Sequence, residues 1–280
     1  MTRGTKNSLA AVAVLIIALI GGYIGAGMHG GSAASASAAE SSWLDGVKQR
    51  GELRVGVAIA PPMTVEENGQ LGGPNLIPLQ NLAKELNVKL TPVPAAWSNI
   101  VAGLQANRYD VAANLDSTLQ RALSIRFTDA VYEYQGVFVV PPNSPHSTTS
   151  AIIGSGQPVA ISQGTAPGAA VAAAGAQTLE LADYTNTFQA VQAGRAVAEF
   201  ADLPTAESQV QANPGWKIVV PEPSIYAASA AYGVPANIDP TSLQILNVAI
   251  NTARQSGAME RAYAEKNYLT IDRLGDLQKR

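Results

Sequence analysis

The sequence predicts an α/β protein of two similar units in series, on three observations. From Trp43 onward, short β-rich runs alternate with amphipathic stretches, the pattern of helices packed on sheets. The alternation pauses at the Pro/Ser/Thr-rich loop "PPNSPHSTTS" (141–150) and then begins again. A late strand and a long helix close the second set. No sequence repeat of fixed period accompanies this, so the likeness of the two units is architectural.

In the first unit "GELRVGVAI" (51–59) reads as a strand and "NLIPLQNLAKEL" (75–86) as a helix, with Asn75 as N-cap and Pro78 in the tolerated first turn. "VKLTPV" is a strand, 97 to about 106 a helix, and 109–115 a strand. Ser117 or Thr118 caps a short helix with Arg121 in its first turn, and "EYQGVFVV" (133–140) is the next strand. The second unit runs "QPVAISQG" strand, "APGAAVAAAG" helix, "QTLELADY" strand, "TNTFQAVQAGRA" helix, "VAEFAD" strand, "LPTAESQVQANPG" helix and "WKIVV" strand. "ASAAYGVPAN" follows as a strand. The last helix spans about 240–257, capped by Asp239 with Pro240 at its first position.

With 280 residues, 47% of them hydrophobic and 14% charged, the chain has material for one large domain or two lobes. Its net charge of -3 argues against a nucleic-acid partner, which requires a basic surface. Cysteine is absent, which removes disulfides, thiolate metal sites, cysteine nucleophiles and an acylated-cysteine anchor. The N-terminus speaks for export instead. "MTRGTK" is basic, the apolar run after it is about 20 residues long, enough to cross a bilayer, and "SAASASAAE" offers A-x-A cleavage sites. Residues 1–40 are thus an export signal or an N-terminal membrane anchor with a small-residue linker. The Gly-rich end of the run and the small residues beyond it favour processing, and either outcome leaves the rest of the chain outside the cytoplasm.

Arg121 sits badly where it is. A helix start presents partial positive charge and unpaired N–H groups, so a cation there is unfavourable unless an anion joins it. Two explanations stand at this point: a surface pair with Asp116 or Asp129, or an anionic ligand group held between Arg121 and the helix start. Open α/β sheets bind ligands beyond the carboxyl ends of their strands, and Asn114, Asp116, Arg121, Gly164, Thr165 and Asp202 all follow strands.

The order of the motifs carries a resemblance. "GELRVGV", "ENGQLGG", "LAKELNVKL", "WSNIVAGLQANRYDV", "STLQRALSIRFTDAVY", "ISQGT", "VQAGRAVAEFADLPTA", "NPGWKIVV" and "YGVP" occur in sequence from Gly51 to about Tyr268. In that order they resemble the extracellular solute-binding proteins of ABC importers for polar amino acids. The resemblance implies the two-lobed periplasmic-binding-protein fold of type II, each lobe a sheet flanked by helices, with two hinge crossovers. It puts 41–135 with 223–280 in one lobe and 136–222 in the other. It further implies a monomer without cofactor or metal that closes on a free amino acid and delivers it to the membrane subunits of an ABC importer.

The resemblance also assigns roles. Arg121 would fork onto the ligand α-carboxylate, Asp202 would accept from the α-ammonium, Trp97 would pack on the side chain, and Gly164 and Thr165 would lend N–H and hydroxyl donors. A planar carboxylate suits a guanidinium better than an ammonium, which agrees with Arg at 121. Two positions depart from the family pattern. Asp116 stands where a Ser or Thr is usual, five residues before the arginine, and could compete for Arg121 or favour a ligand with an extra positive charge. Ala60 replaces the usual aromatic after the first strand, which removes one stacking wall. The rival functions are an enzyme on the same fold, such as a periplasmic dehydratase with Asp116 or Glu199 as acid or base, and a membrane-anchored sensor. His29 and His146 are the only histidines, one in the export segment and one in a loop, so a histidine-based triad is not expected.

Overall fold

The protein is described here from a computed structural model over residues 42–266. The export segment expected at 1–40 lies outside the described residues. The chain begins with α1 (Trp43–Arg50) and β1 (Glu52–Val57), followed by a hairpin of β2 (Val65–Glu67) and β3 (Gln70–Gly72). A 3-10 turn (Pro74–Leu76) leads into α2 (Ile77–Glu85), and β4 (Lys89–Pro94), α3 (Ile100–Gln105), β5 (Val111–Asp116) and α4 (Leu119–Ala122) complete the first set. The strand β6 then runs from Arg126 to Val140, 15 residues without a break.

The second set comprises α5 (Thr149–Gly154), β7 (Val159–Ser162), α6 (Ala166–Ala173), β8 (Thr178–Leu181), α7 (Tyr184–Gln192), β9 (Ala198–Asp202), α8 (Leu203–Ala212) and β10 (Lys217–Val219). The chain returns through β11 (Ala227–Val234) and closes with α9 (Pro240–Gln255) and α10 (Ala258–Glu265).

The strands order as β4-β1-β5-β11-β6-β9-β7-β8, with β10 also on β6. This path is two sheets joined through one strand. The first part of β6 pairs antiparallel with β11, as far as Gln135 opposite Ala227. From Gly136, opposite Asp202, it pairs with β9 instead. The returning chain crosses at the same level, where Gly136 N donates to the Tyr226 carbonyl at 2.9 Å. Gly136 has to be glycine. A Cβ there would lie 2.7 Å from the Phe200 ring, which fills the start of the second sheet.

Helices cover both faces of each sheet. Leu53, Val55 and Val57 of β1 pack with Leu79 of α2 and Leu246 and Ile250 of α9, while Ile100 and Leu104 of α3 cover the opposite face with Ala112 and Leu115. In the second sheet Phe138, Val159, Ile161 and Phe200 form one layer, and Val137, Val139, Phe188 and Leu203 the other. Burial on both faces explains why the second half of β6 reads as an unbroken apolar run in the sequence.

Capping sets the helix starts. Thr165, Asp202 and Asp239 each accept from the backbone N–H three residues on, and each is followed by proline within the first two helical positions. Asp239 also accepts from Trp43 N at 3.0 Å, tying α1 to α9.

Several sequence expectations are corrected. Asn75 does not cap α2; it is fully buried in the preceding 3-10 turn, where its side chain donates to Asn114 Oδ1 at 2.5 Å and accepts from the Tyr263 hydroxyl at 3.0 Å. The loop at 141–150 ends in a helix, because Thr148 caps α5. The helix expected at about 240–257 is present as α9, and a further helix, α10, follows Gly257, whose φ is 69°. "WKIVV" holds only three strand residues. The helix α1 and the β2–β3 hairpin were not expected; α1 has only 8 residues and contains Gly46, and the hairpin strands have 3 each, too short for a periodic signal.

Tyr109 fills a slot between α3 and β1. Its hydroxyl donates to the Ile100 carbonyl, and a Cβ on Gly56 or Gly103 would fall 2.5 or 2.2 Å from its ring or hydroxyl. Gly103→Ala is therefore expected to destabilise the protein by about 1–3 kcal/mol through overpacking. Urea denaturation measures this, and an unchanged midpoint would show that Tyr109 can leave its slot without cost.

Candidate functional site

The carboxyl ends of the strands bring the sequence-predicted residues together. Asp116 ends β5 and Asp202 ends β9; Trp97 follows β4, and Thr165 follows β7 at the start of α6. With Asn114 and Arg121, these six side chains line one small cavity of about 20 Å³. Ala60, Tyr132, Tyr134, Pro167 and Tyr184 complete its wall. Gly164 lies in an adjoining open cleft that shares Trp97, Arg121 and Thr165 with the inner cavity.

Arg121 is not held by a carboxylate. Its Nη1 donates to the Asp116 backbone carbonyl and its Nη2 to the Gly164 carbonyl, each at 3.2 Å. Among the described residues no ion pair joins Arg121 to Asp116 or Asp129, so the surface-pair explanation does not hold. The helix-end penalty is also smaller than the sequence suggests. The helix α4 has only 4 residues, and Thr118 already caps it by accepting from Arg121 N at 3.3 Å.

Both carboxyls are buried. Asp202 accepts from Thr205 N at 2.9 Å and from the Thr205 hydroxyl at 3.0 Å, so it caps α8 and faces the cavity at once. Burial pushes its pKa up to about 6, against the pull of those bonds. Asp116 accepts from the Tyr134 hydroxyl at 2.7 Å, with Tyr226 nearby. Burial raises its pKa too, with the two tyrosines and Arg121 opposing.

The remaining predicted residues have their own partners. Asn114 sits at φ 60°, a left-handed conformation that asparagine tolerates better than most, and bridges Asn75 and Thr64. The Thr165 hydroxyl is committed to its own turn: it donates to the Ser162 carbonyl at 2.7 Å and accepts from Gly168 N. The Trp97 indole nitrogen is buried without a hydrogen-bond partner.

Sequence reasoning missed the tyrosines. Tyr132 and Tyr134 alternate along β6, which puts both on one face, and that spacing was a usable signal. Tyr184 gave none, because its role depends on the other sheet. It packs with Ala60 and Trp97, in the place of the wall that Ala60 lacks.

The model of the bacterial extracellular solute-binding proteins, family 3, matches residues 53–267. The chain belongs to that family. Among relatives, a "Probable amino-acid ABC transporter-binding protein" of Haemophilus influenzae is 29% identical over 160 residues, 56% of this chain and 62% of that protein. The "L-cystine-binding protein TcyJ" of Escherichia coli K12 is 36% identical over 80 residues, 28% of this chain and 30% of that protein. The match therefore spans less than two thirds of the length of these relatives. Among solved structures, the arginine-bound form of truncated ArgBP from T. maritima superposes with a TM-score of 0.69 at 25% identity, covering 74% of this chain and 99% of that one.

In this family 3 solute-binding protein, one contact between the two sheets leaves no room for a side chain. Gly164, at φ 77°, lies so close to the loop after β4 that a Cβ would stand 2.6 Å from Ser98 Cα and 2.7 Å from Ser98 N. Gly164→Ala is expected to wedge the two halves apart. Small-angle scattering of the unliganded protein should show a larger radius of gyration than wild type, and an unchanged value would mean that the contact does not set the spacing.

Glu199, the other carboxyl weighed as an acid or base, does not line the cavity. It is fully buried, with Oε1 accepting from the Thr187 hydroxyl at 2.5 Å and Gln209 Nε2 at 3.2 Å, while Oε2 has no partner. Burial pushes its pKa up to about 8. Between about pH 5 and about pH 8 the folded protein thus keeps a proton that the unfolded chain has released, so stability falls as the pH rises through this window. Glu199→Gln should flatten that decline. Denaturant midpoints across the window test it, and an equal slope in the variant would place the pH dependence elsewhere.

Proposed function

We propose that this protein captures a free amino acid, as a zwitterion, between two lobes and delivers it outside the cytoplasm to the membrane subunits of an ABC importer. The lobes are residues 41–135 with 223–280, and 136–222, hinged where the chain crosses twice between the sheets. One observation carries this proposal: Arg121 from the first lobe and Asp202 from the second line the same cavity, and no ion pair joins them. A ligand α-carboxylate takes the guanidinium through parallel hydrogen bonds, and the α-ammonium takes the carboxylate. Trp97 packs on the ligand side chain, with Asn114, Gly164 and Thr165 shaping the rest of the site.

The family and the relatives support this class of ligand. ArgBP from T. maritima was crystallised with arginine, and TcyJ is named for L-cystine. An enzymatic role draws less support, since Glu199, one of the two carboxyls weighed as acid or base, lies off the cavity. The protein acts as a monomer, exported by its N-terminal segment, which is cleaved or serves as an anchor.

Closure follows from ligand contacts shared between lobes, because a ligand favours the state in which it touches both. Truncating either charged partner leaves a desolvated ligand charge unpaired. Arg121→Ala and Asp202→Ala should each weaken amino-acid binding roughly 30-fold to several thousand-fold, and Arg121→Lys should recover part of the loss. Calorimetric titration provides the measurement. Unchanged affinity in Arg121→Ala would assign the residue to structure and end the case for an amino-acid ligand.

A further inference from the structure

We infer that the ligand carries a second positive charge, on its side chain, and that Asp116 is the residue that selects it. This deepens the amino-acid function proposed above and rests on it. Asp116, Arg121 and Asp202 line one cavity, and among the described residues none of the three is ion-paired with another. A zwitterion accounts for two of them. Its carboxylate answers Arg121 and its ammonium answers Asp202, which leaves Asp116 over.

Asp116 is only 7% exposed, and a buried carboxylate is costly unless it is paired. Its hydrogen-bond partner on the protein is uncharged. The Tyr134 hydroxyl donates to it at 2.7 Å, which orients the group as an acceptor without supplying charge. Arg121 reaches the Asp116 backbone carbonyl, not the carboxylate. Tyr134 lies on one of the two crossings between the sheets, which fixes the direction in which the carboxylate points.

Charge counting gives the ligand class. Two acids and one guanidinium leave the cavity one negative charge in excess, and a neutral amino acid leaves that excess in place. An α-amino acid with a cationic side chain removes it. The aromatic faces of Tyr132 and Trp97 in the same wall suit the aliphatic stem of such a side chain and its charged end.

The test is calorimetric titration of wild type, Asp116→Asn and Asp116→Ser with L-lysine, L-arginine, L-ornithine, L-leucine and L-glutamine, beside unliganded melting curves. Wild type should bind at least one cationic ligand roughly 30-fold or more tightly than either neutral one, since truncating a buried charge partner has effects of that size. Both variants should lose that preference, with neutral ligands bound as tightly as by wild type or more tightly. If one variant fails to melt cooperatively the other decides, and if both fail the wild-type preference alone decides. Tighter binding of neutral ligands by wild type overturns the inference while leaving amino-acid capture intact. Equal weakening of all ligands in the variants also overturns it, by placing the α-ammonium on Asp116. Failure of every amino acid to bind folded wild type removes the inference together with the function it rests on.

Discussion

A single strand that belongs to two sheets governs the rest of this structure. Along β6 the backbone hydrogen bonds pass from β11 to β9 between Gln135 and Gly136, so the two sheets share one stretch of chain and cannot be placed independently. The returning chain is bonded to it at the same level through the Tyr226 carbonyl. Two adjacent crossings make a narrow waist. Motion there bends a pair of extended segments and leaves the packed layers on either side intact, which is the geometry of a hinge. Tyr134, at the waist, donates to Asp116, so the cavity is tied to the place where the two sheets join.

The site itself is a by-product of how parallel strands connect to helices. Each such strand ends where a helix begins, and each helix start needs an acceptor for its first N–H groups. Asp202 meets that need for α8 and still faces the cavity. Capping and ligand recognition are therefore compatible demands on one carboxylate. The cap bonds hold the group in place, and burial raises its pKa toward neutrality, so its charge depends on what stands opposite it.

Much of this was legible in the sequence, for identifiable reasons. The strands buried on both faces announced themselves as apolar runs, and the caps Thr165, Asp202 and Asp239 stood before prolines. Arg121 drew notice because its local environment did not justify it. The missing parts were those whose meaning is non-local. Asn75 looks like a cap beside its neighbours in the chain, yet it is buried against Asn114, 39 residues away. The first half of β6 exposes Arg126, Asp129 and Glu133, so it lacks the apolar run that marked its second half. Tyr184 could be found only with the second sheet in view, because the gap it occupies is made by Ala60 in the first.

That last arrangement has a kinetic side. An aromatic following the first strand would meet a ligand on the same half that carries Arg121, at first encounter. Here the ring belongs to the opposite half and reaches Ala60 and Trp97 only when the two halves are together. On the proposed function, a ligand would meet the guanidinium and the indole first and the tyrosine second. Discrimination among ligands would then fall mainly on how long a closed complex lasts, and little on how fast it forms.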